Sequence, residues 1–352
     1  MDFYEGVKKE IQTLAPSSFA IVMSTGVISI ASNLLGYPSI ASFLFYLNNI
    51  IYAILLILLL LRIVLFFPLL AKDLANEAKG AGFLTIPTAS CTLGLQYALM
   101  KENFSITPVL WTFALVFWLV FMYAFFILLL TKKEKPALEE GLNGSWLLLV
   151  VSTQSLSILA SILAPHVSLP ANVILFTAFA VFLTGFMFYV IIITLTFHRL
   201  IFSPLKPAEF TPPDWIDMGA AAITALSAAT LAKATGDSDL FSQYQSFVKA
   251  IGMLSWAIAT WWIPIVFILE IRRHLYQKNS FKYQSAYWSL VFPLGMYTVC
   301  SIRLSEALAF PYLFEIAQKF VFIAFAAWAI TFIGMFFTIV RTGAKPGENT
   351  RA

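Results

Sequence analysis

The chain has 352 residues, of which 60% are hydrophobic and 11% charged, against about 45–50% and about 25% in soluble domains. That composition excludes a water-soluble globule and makes lipid the main solvent. The formal net charge of +4 is small and unevenly spread, so it bears on orientation in a membrane and not on nucleic acid.

Two cysteines, Cys91 and Cys300, lie far apart in apolar stretches and offer neither a disulfide framework nor a metal-site spacing. None of the three histidines has a histidine partner at helical spacing. No cofactor, metal or catalytic cluster is therefore expected, and an enzyme is disfavoured: there is no paired histidine, Cys-x-x-Cys or phosphate-binding glycine loop.

A helical crossing needs about 20 apolar residues. In chain order, that requirement marks spans at 16–36, 43–67, 80–100, 108–130, 144–164, 171–197, 215–235, 247–270, 285–308 and 314–340. The chain then divides into a cytoplasmic N-terminal segment (1–15), a ten-helix transport domain (16–341) and a cytoplasmic tail (342–352). With an even number of spans, both termini share one side. That side collects 17 of the 22 Lys and Arg residues, from Lys8 and Lys9 through Lys206, Lys278 and Lys282 to Lys345 and Arg351. The excess predicts both termini in the cytoplasm of a multi-pass plasma-membrane protein.

The spans alternate in kind. Gly, Ser and Thr make up 33 of 108 residues in the odd spans but 12 of 126 in the even ones. Hydroxyls at membrane depth are tolerated beside protein or a water-filled path, and small residues also let helices pack closely. A strict odd/even rule over five pairs predicts an all-α membrane fold of five helical hairpins, odd helices around a central pore and bulky even helices outside. Candidate lining groups are Ser24, Thr25, Thr88, Gln96, Thr153, Gln154, Thr224, Ser227 and Thr298. Pro87 and Pro293 lie within odd spans and predict kinks there.

Charges inside the spans are few. Arg303 and Glu306, three residues apart near the outward end of span 9, form an ion pair or leave Arg303 to attract anions. Arg62 stands near the cytoplasmic end of span 2, where it can snorkel. Asp214 and Asp217 open span 7 and complement its helix dipole. A nearly uncharged lining suits anions passed by partial dehydration.

Four stretches carry a family resemblance: APSSFAIVMSTGVISIA (15–31), HRLIFSPL (198–205), PPDWIDMGAAAITAL (212–226) and YWSLVFPLGMYTVC (287–300). Together they resemble the tellurite-resistance/dicarboxylate transporter family, which includes malic acid transport proteins and slow-type anion channels. The resemblance implies five hairpins around a five-helix pore and a homotrimer with one pore per subunit. In its channel members a phenylalanine beside the proline of the ninth helix plugs the pore, and the matching position is Phe292 in LVFPLG. The implied function is membrane transport of small inorganic anions or carboxylates. The alternatives on the same scaffold are a proton-coupled C4-dicarboxylate (malate-type) transporter and a tellurite-resistance permease.

Overall fold

The computed structural model describes residues 2–203, 210–236, 238, 240–277 and 283–343. Lys206, Lys278, Lys282, Lys345 and Arg351 of the charge count, and the tail from 344, lie outside the described residues. The helices are α1 (Asp2–Thr13), α2 (Ala20–Leu34), α3 (Pro38–Leu74), α4 (Thr85–Lys101), α5 (Thr107–Thr131), α6 (Leu138–Gly141), α7 (Leu148–Leu163), α8 (Ala171–Phe202), α9 (Ile216–Thr235), α10 (Gln245–Gln277), α11 (Trp288–Leu308) and α12 (Tyr312–Gly343). Ten of them coincide with the ten spans. The two outside the spans are α1 and the single turn α6.

Among the described residues, eight helices, counted with their lead-in turns, are long and apolar enough to cross a membrane. The other two, α4 and α11, carry many hydroxyls and sit among the inner helices. Their polarity is tolerated because neighbouring helices, not lipid, surround them.

The inner set is α2, α4, α7, α9 and α11. Each packs against the next, and α11 packs back on α2, so the five close a ring. Burial separates the two sets. The apolar stretches of Pro16–Leu34, Gly144–Leu163 and Pro212–Thr235 are 78–94% buried, whereas those of the five outer helices are 17–33% buried. Each outer helix also packs on an inner one, α3 on α2, α5 on α4, α8 on α7, α10 on α9 and α12 on α11.

Every inner helix begins with a 3-10 turn, at 16–19, 80–84, 144–147, 212–215 and 285–287. These turns contact one another around one end of the ring, here the near face. An aromatic residue stands in or next to each, Phe19, Phe83, Trp146 and Trp215 within the turn and Trp288 just after it. Phe19, Phe83, Trp215 and Trp288 are buried and Trp146 is partly so.

A glycine sits in each seam of the ring. A Cβ on Gly26 of α2 would meet Thr92 of α4 at 2.5 Å, one on Gly94 of α4 would meet Leu159 of α7 at 2.7 Å, and one on Gly295 of α11 would meet Val27 of α2 at 2.6 Å. On Gly219 of α9 it would meet Pro293 of α11 at 2.8 Å, and on Gly144, before α7, it would strike the backbone of Pro213 before α9. Small residues at these points let the backbones approach, which gives van der Waals packing where lipid supplies no hydrophobic drive.

Four of the outer helices, α3, α5, α10 and α12, are tied to the next hairpin by hydrogen bonds. Trp118 of α5 donates to Thr153 of α7 (3.0 Å), Trp256 of α10 to Ser301 of α11 (2.8 Å), and Trp328 of α12 to Thr25 of α2 (3.1 Å). On α3, Asn48 donates to Gln96 of α4 (2.7 Å), and Tyr52 shares a 2.8 Å hydrogen bond with Ser90. The bond from α12 to α2 joins the last hairpin to the first.

Two local features depart from expectation. Helix α3 does not stop at Phe67; it continues through Pro68 to Leu74, with a break at Phe66 (φ −136°, ψ 34°) where the proline disrupts the ladder. This brings Asp73 against Arg62, which also donates to the Leu14 carbonyl. Arg62 is therefore buried in an ion pair instead of snorkelling. Pro293 lies inside α11, but Pro87 is the third residue of α4, just past the 3-10 turn that leads into it. Pro87 therefore opens a helix instead of bending one.

Candidate functional site

Toward the far face the ring widens around a cavity of about 830 Å³ bounded by residues from all five inner helices and from the start of α10. Its wall is mostly aliphatic, with hydroxyls from Thr92, Ser161 and Thr230. Three cationic side chains border it, Lys233 of α9, Lys249 of α10 and Arg303 of α11, against one carboxylate, Glu306. Arg303 pairs with Glu306 at 2.9 Å, so the two lysines supply the surplus positive charge. A cleft of one charge sign with low-dielectric walls concentrates ions of the other sign.

Spacing explains how α11 reaches the cavity. Met296, Val299 and Arg303 all border it and follow one another at i, i+3 and i+7, which is one helical face. One turn nearer the 3-10 turns the same face carries Phe292, which is 1% exposed. Pro293 follows at once, and Gly219 packs against it. On α4 the same arithmetic puts Thr88 one turn below Thr92. On α9, Leu226, Thr230 and Lys233 form the cavity stripe.

The candidate lining groups have varied partners. Thr25, Gln96 and Thr153 accept hydrogen bonds from outer helices, and Gln154 donates to the Phe182 carbonyl of α8. Ser24 donates to the Trp288 carbonyl across the α2/α11 seam. Thr88, Thr224 and Thr298 donate to carbonyls of the preceding turn, and the Ser227 hydroxyl is buried without a partner. Among these groups, then, many of the polar atoms join helices to one another. The cavity itself is bordered by other residues of the same helices. Lys233 was open to detection in the sequence, since it falls seven residues after Leu226. Lys249 was not, because it comes from an outer helix.

The near face carries buried charge. Asp214 accepts from the Thr211 amide and hydroxyl and from the Gly144 amide, pinning the start of α9 to the start of α7. Arg199 of α8 donates to the Leu142 carbonyl at 2.8 Å. On α10, Glu270 holds Arg273 at 2.7 Å and accepts from Trp215 of the α9 lead-in turn. Just outside the spans, Glu77 is held below the usual carboxylate range, first by its hydrogen bond from Lys132.

The relatives are named without a stated substrate. Two uncharacterized transporters of Methanocaldococcus jannaschii are 24% and 23% identical over 332 residues, covering 92% of this chain and 92% and 94% of theirs. An uncharacterized membrane protein of Mycobacterium tuberculosis is 34% identical over 164 residues, 47% of this chain and 83% of its own. The pattern described as the SLAC1 voltage-dependent anion channel matches residues 13–336. A ring of five inner helices, a cationic far-face cavity and a match over nearly the whole length agree: the chain is a multi-pass membrane protein of the SLAC1 anion channel family.

Proposed function

We propose that this protein passes small anions, inorganic ions or monocarboxylates, along the axis of its five-helix ring, with Phe292 as the gate. The observation that carries this reading is the far-face cavity, bounded by all five inner helices and three cations, whose α11 stripe of Met296, Val299 and Arg303 continues by helical spacing to the buried Phe292. Anions collect in the cavity through its surplus charge. They then meet a side chain that fills the ring one turn below Met296. A phenyl ring beside a proline moves by rotamer change, fast enough to serve as a gate, and Pro293 leaves a backbone carbonyl of the preceding turn without its usual donor. The near face is the cytoplasmic one, with both termini there, in the plasma membrane, and three copies assemble with one pathway each.

The direct test is electrical recording from the purified protein in liposomes with chloride, nitrate and malate compared. Anion current that increases in Phe292→Ala is expected; an unchanged current would remove Phe292 as the gate. A second reading is a carboxylate carrier, favoured by Arg303 on the cavity wall. It requires saturable malate uptake driven by a pH gradient and lost in Arg303→Ala. Oxyanion traffic, tellurite included, falls under the first reading because no group here is selective for tellurium.

A further inference from the structure

The near end of α9 holds a charge imbalance that the pathway does not explain. Asp217 is 1% exposed, and its Oδ1 has no hydrogen-bond partner. Asp214, three residues earlier, is also buried, but three donors hold it. The nearby cation for both is Arg199 of α8, whose guanidinium is already engaged with the Leu142 carbonyl.

Among the described residues, the other elements packed on α9 add little that could neutralise Asp217. From α8 comes Tyr189, 1% exposed, whose hydroxyl lies near Asp217 and Trp262 of α10. Helix α7 has no ionisable residue, and α11 has only Tyr297 and Cys300 before Arg303. Tyr287, just before α11, faces Arg273. On α10 the group of Glu270, Arg273 and His274 meets α9 through Trp215, not through Asp217. Among the described residues, two buried carboxylates therefore share one cation, Arg199, which also donates to the Leu142 carbonyl.

An ionised carboxylate buried without donors is costly. A bound proton removes that cost and leaves a neutral acid beside the Tyr189 hydroxyl. Position gives the proton a further consequence. Asp217 stands between the two seams of α9. Asp214 fixes the seam to α7, and Gly219, two residues after Asp217, is the surface on which Pro293 rests, next to Phe292. A rearrangement of the first turn of α9 must pass through that contact.

We infer that Asp217 is a proton-binding site that couples the Phe292 step to pH at the near face. With the proton bound, the first turn of α9 stays packed, Pro293 rests on Gly219 and Phe292 closes the ring. When the proton leaves, the carboxylate seeks water or a donor, the first turn shifts, and Pro293 loses the seat that holds Phe292 in place. Flux therefore rises as pH rises. The step involves one proton, exchanged with water at the near face. It rests on the reading of Phe292 as the gate.

The experiment measures chloride flux in liposomes across a range of near-face pH for the wild type, Asp217→Asn and Phe292→Ala. Expected are a wild-type flux that rises about tenfold through one titration, a low flux without pH dependence in Asp217→Asn, and a high flux without pH dependence in Phe292→Ala. A Phe292→Ala protein without flux would overturn the pathway itself. If Phe292→Ala conducts, a flat wild-type profile, or an Asp217→Asn profile like the wild type's, would overturn the proton site alone. Should Asp217→Asn not fold, infrared difference spectra of the wild type decide the matter. Loss of a protonated carboxyl band over the pH range in which flux rises is expected, and a rise without that loss overturns the inference.

Discussion

The two halves of the ring solve opposite problems with the same five helices. Toward the far face they separate around about 830 Å³ bordered by Lys233, Lys249 and Arg303; toward the near face they meet through 3-10 turns, with Phe19, Phe83, Trp215 and Trp288 packed among them. The far half keeps its charge in a cavity, where it can act on ions in solution. The near half buries its charge in pairs and hydrogen bonds, where it acts on backbones. On the proposed reading, selectivity for anions belongs to the far half and closure to the near half. Substitutions in the two should fail in different ways.

The largest expected effect tests the near half as a packed seam. Gly144→Val drives side-chain atoms into the backbone of Pro213 and Asp214, and overpacking of this kind costs about 3 kcal/mol or more. Loss of a monodisperse peak in size-exclusion chromatography is the expected result, and a normal peak and melting temperature would show that the seam yields.

Phe292→Ala comes next. It should raise anion current by at least about tenfold, equivalent to about 1.4 kcal/mol off the barrier, and lower the melting temperature through the space it leaves. Current and stability move in opposite directions only if the ring blocks a path and packs the core at once.

The far half is tested by charge. Lys233→Gln with Lys249→Gln should reduce flux severalfold at low ionic strength and much less at high salt, because screening shortens the reach of those charges. Equal losses at both salt concentrations would mean that the lysines contact the ion at a fixed site. Smallest is the tie between outer and inner helices. Trp328→Phe removes the donor to Thr25, and a membrane-buried hydrogen bond of this sort contributes about 1 kcal/mol. A double-mutant cycle with Thr25→Val should recover most of that loss as coupling.

Much of the fold was legible because it is written in composition. The contrast between FLFYLNNIIYAILLILLLL in α3 and STGVISIAS in α2 separates helices that touch lipid from helices that touch protein. The direction in which each hydroxyl points was not legible. A helix buried on all sides has no polar face from which to read its phase, so Thr153, which accepts from Trp118, and Thr92, which borders the cavity, look alike in sequence. Partners settle the matter, and those partners are tryptophans and asparagines on other helices. The aromatic residue of each 3-10 turn is a fivefold signal in plain view, in SSF, AGF, GSW, PDW and AYW, but it is too short to stand out before the turns are aligned in space. Asp73 reaches Arg62 only because Pro68 interrupts α3 without ending it, which hydropathy alone does not register.

The hydrogen bond from Trp328 to Thr25 also means that the assembly is circular, with no privileged first hairpin. A gene rearranged to start translation at the connector between α5 and α7, its original ends fused by a flexible linker, should produce the same closed structure. Such a permuted chain would form its hairpins in a different order during synthesis, and its yield would show whether biogenesis depends on which hairpin emerges first.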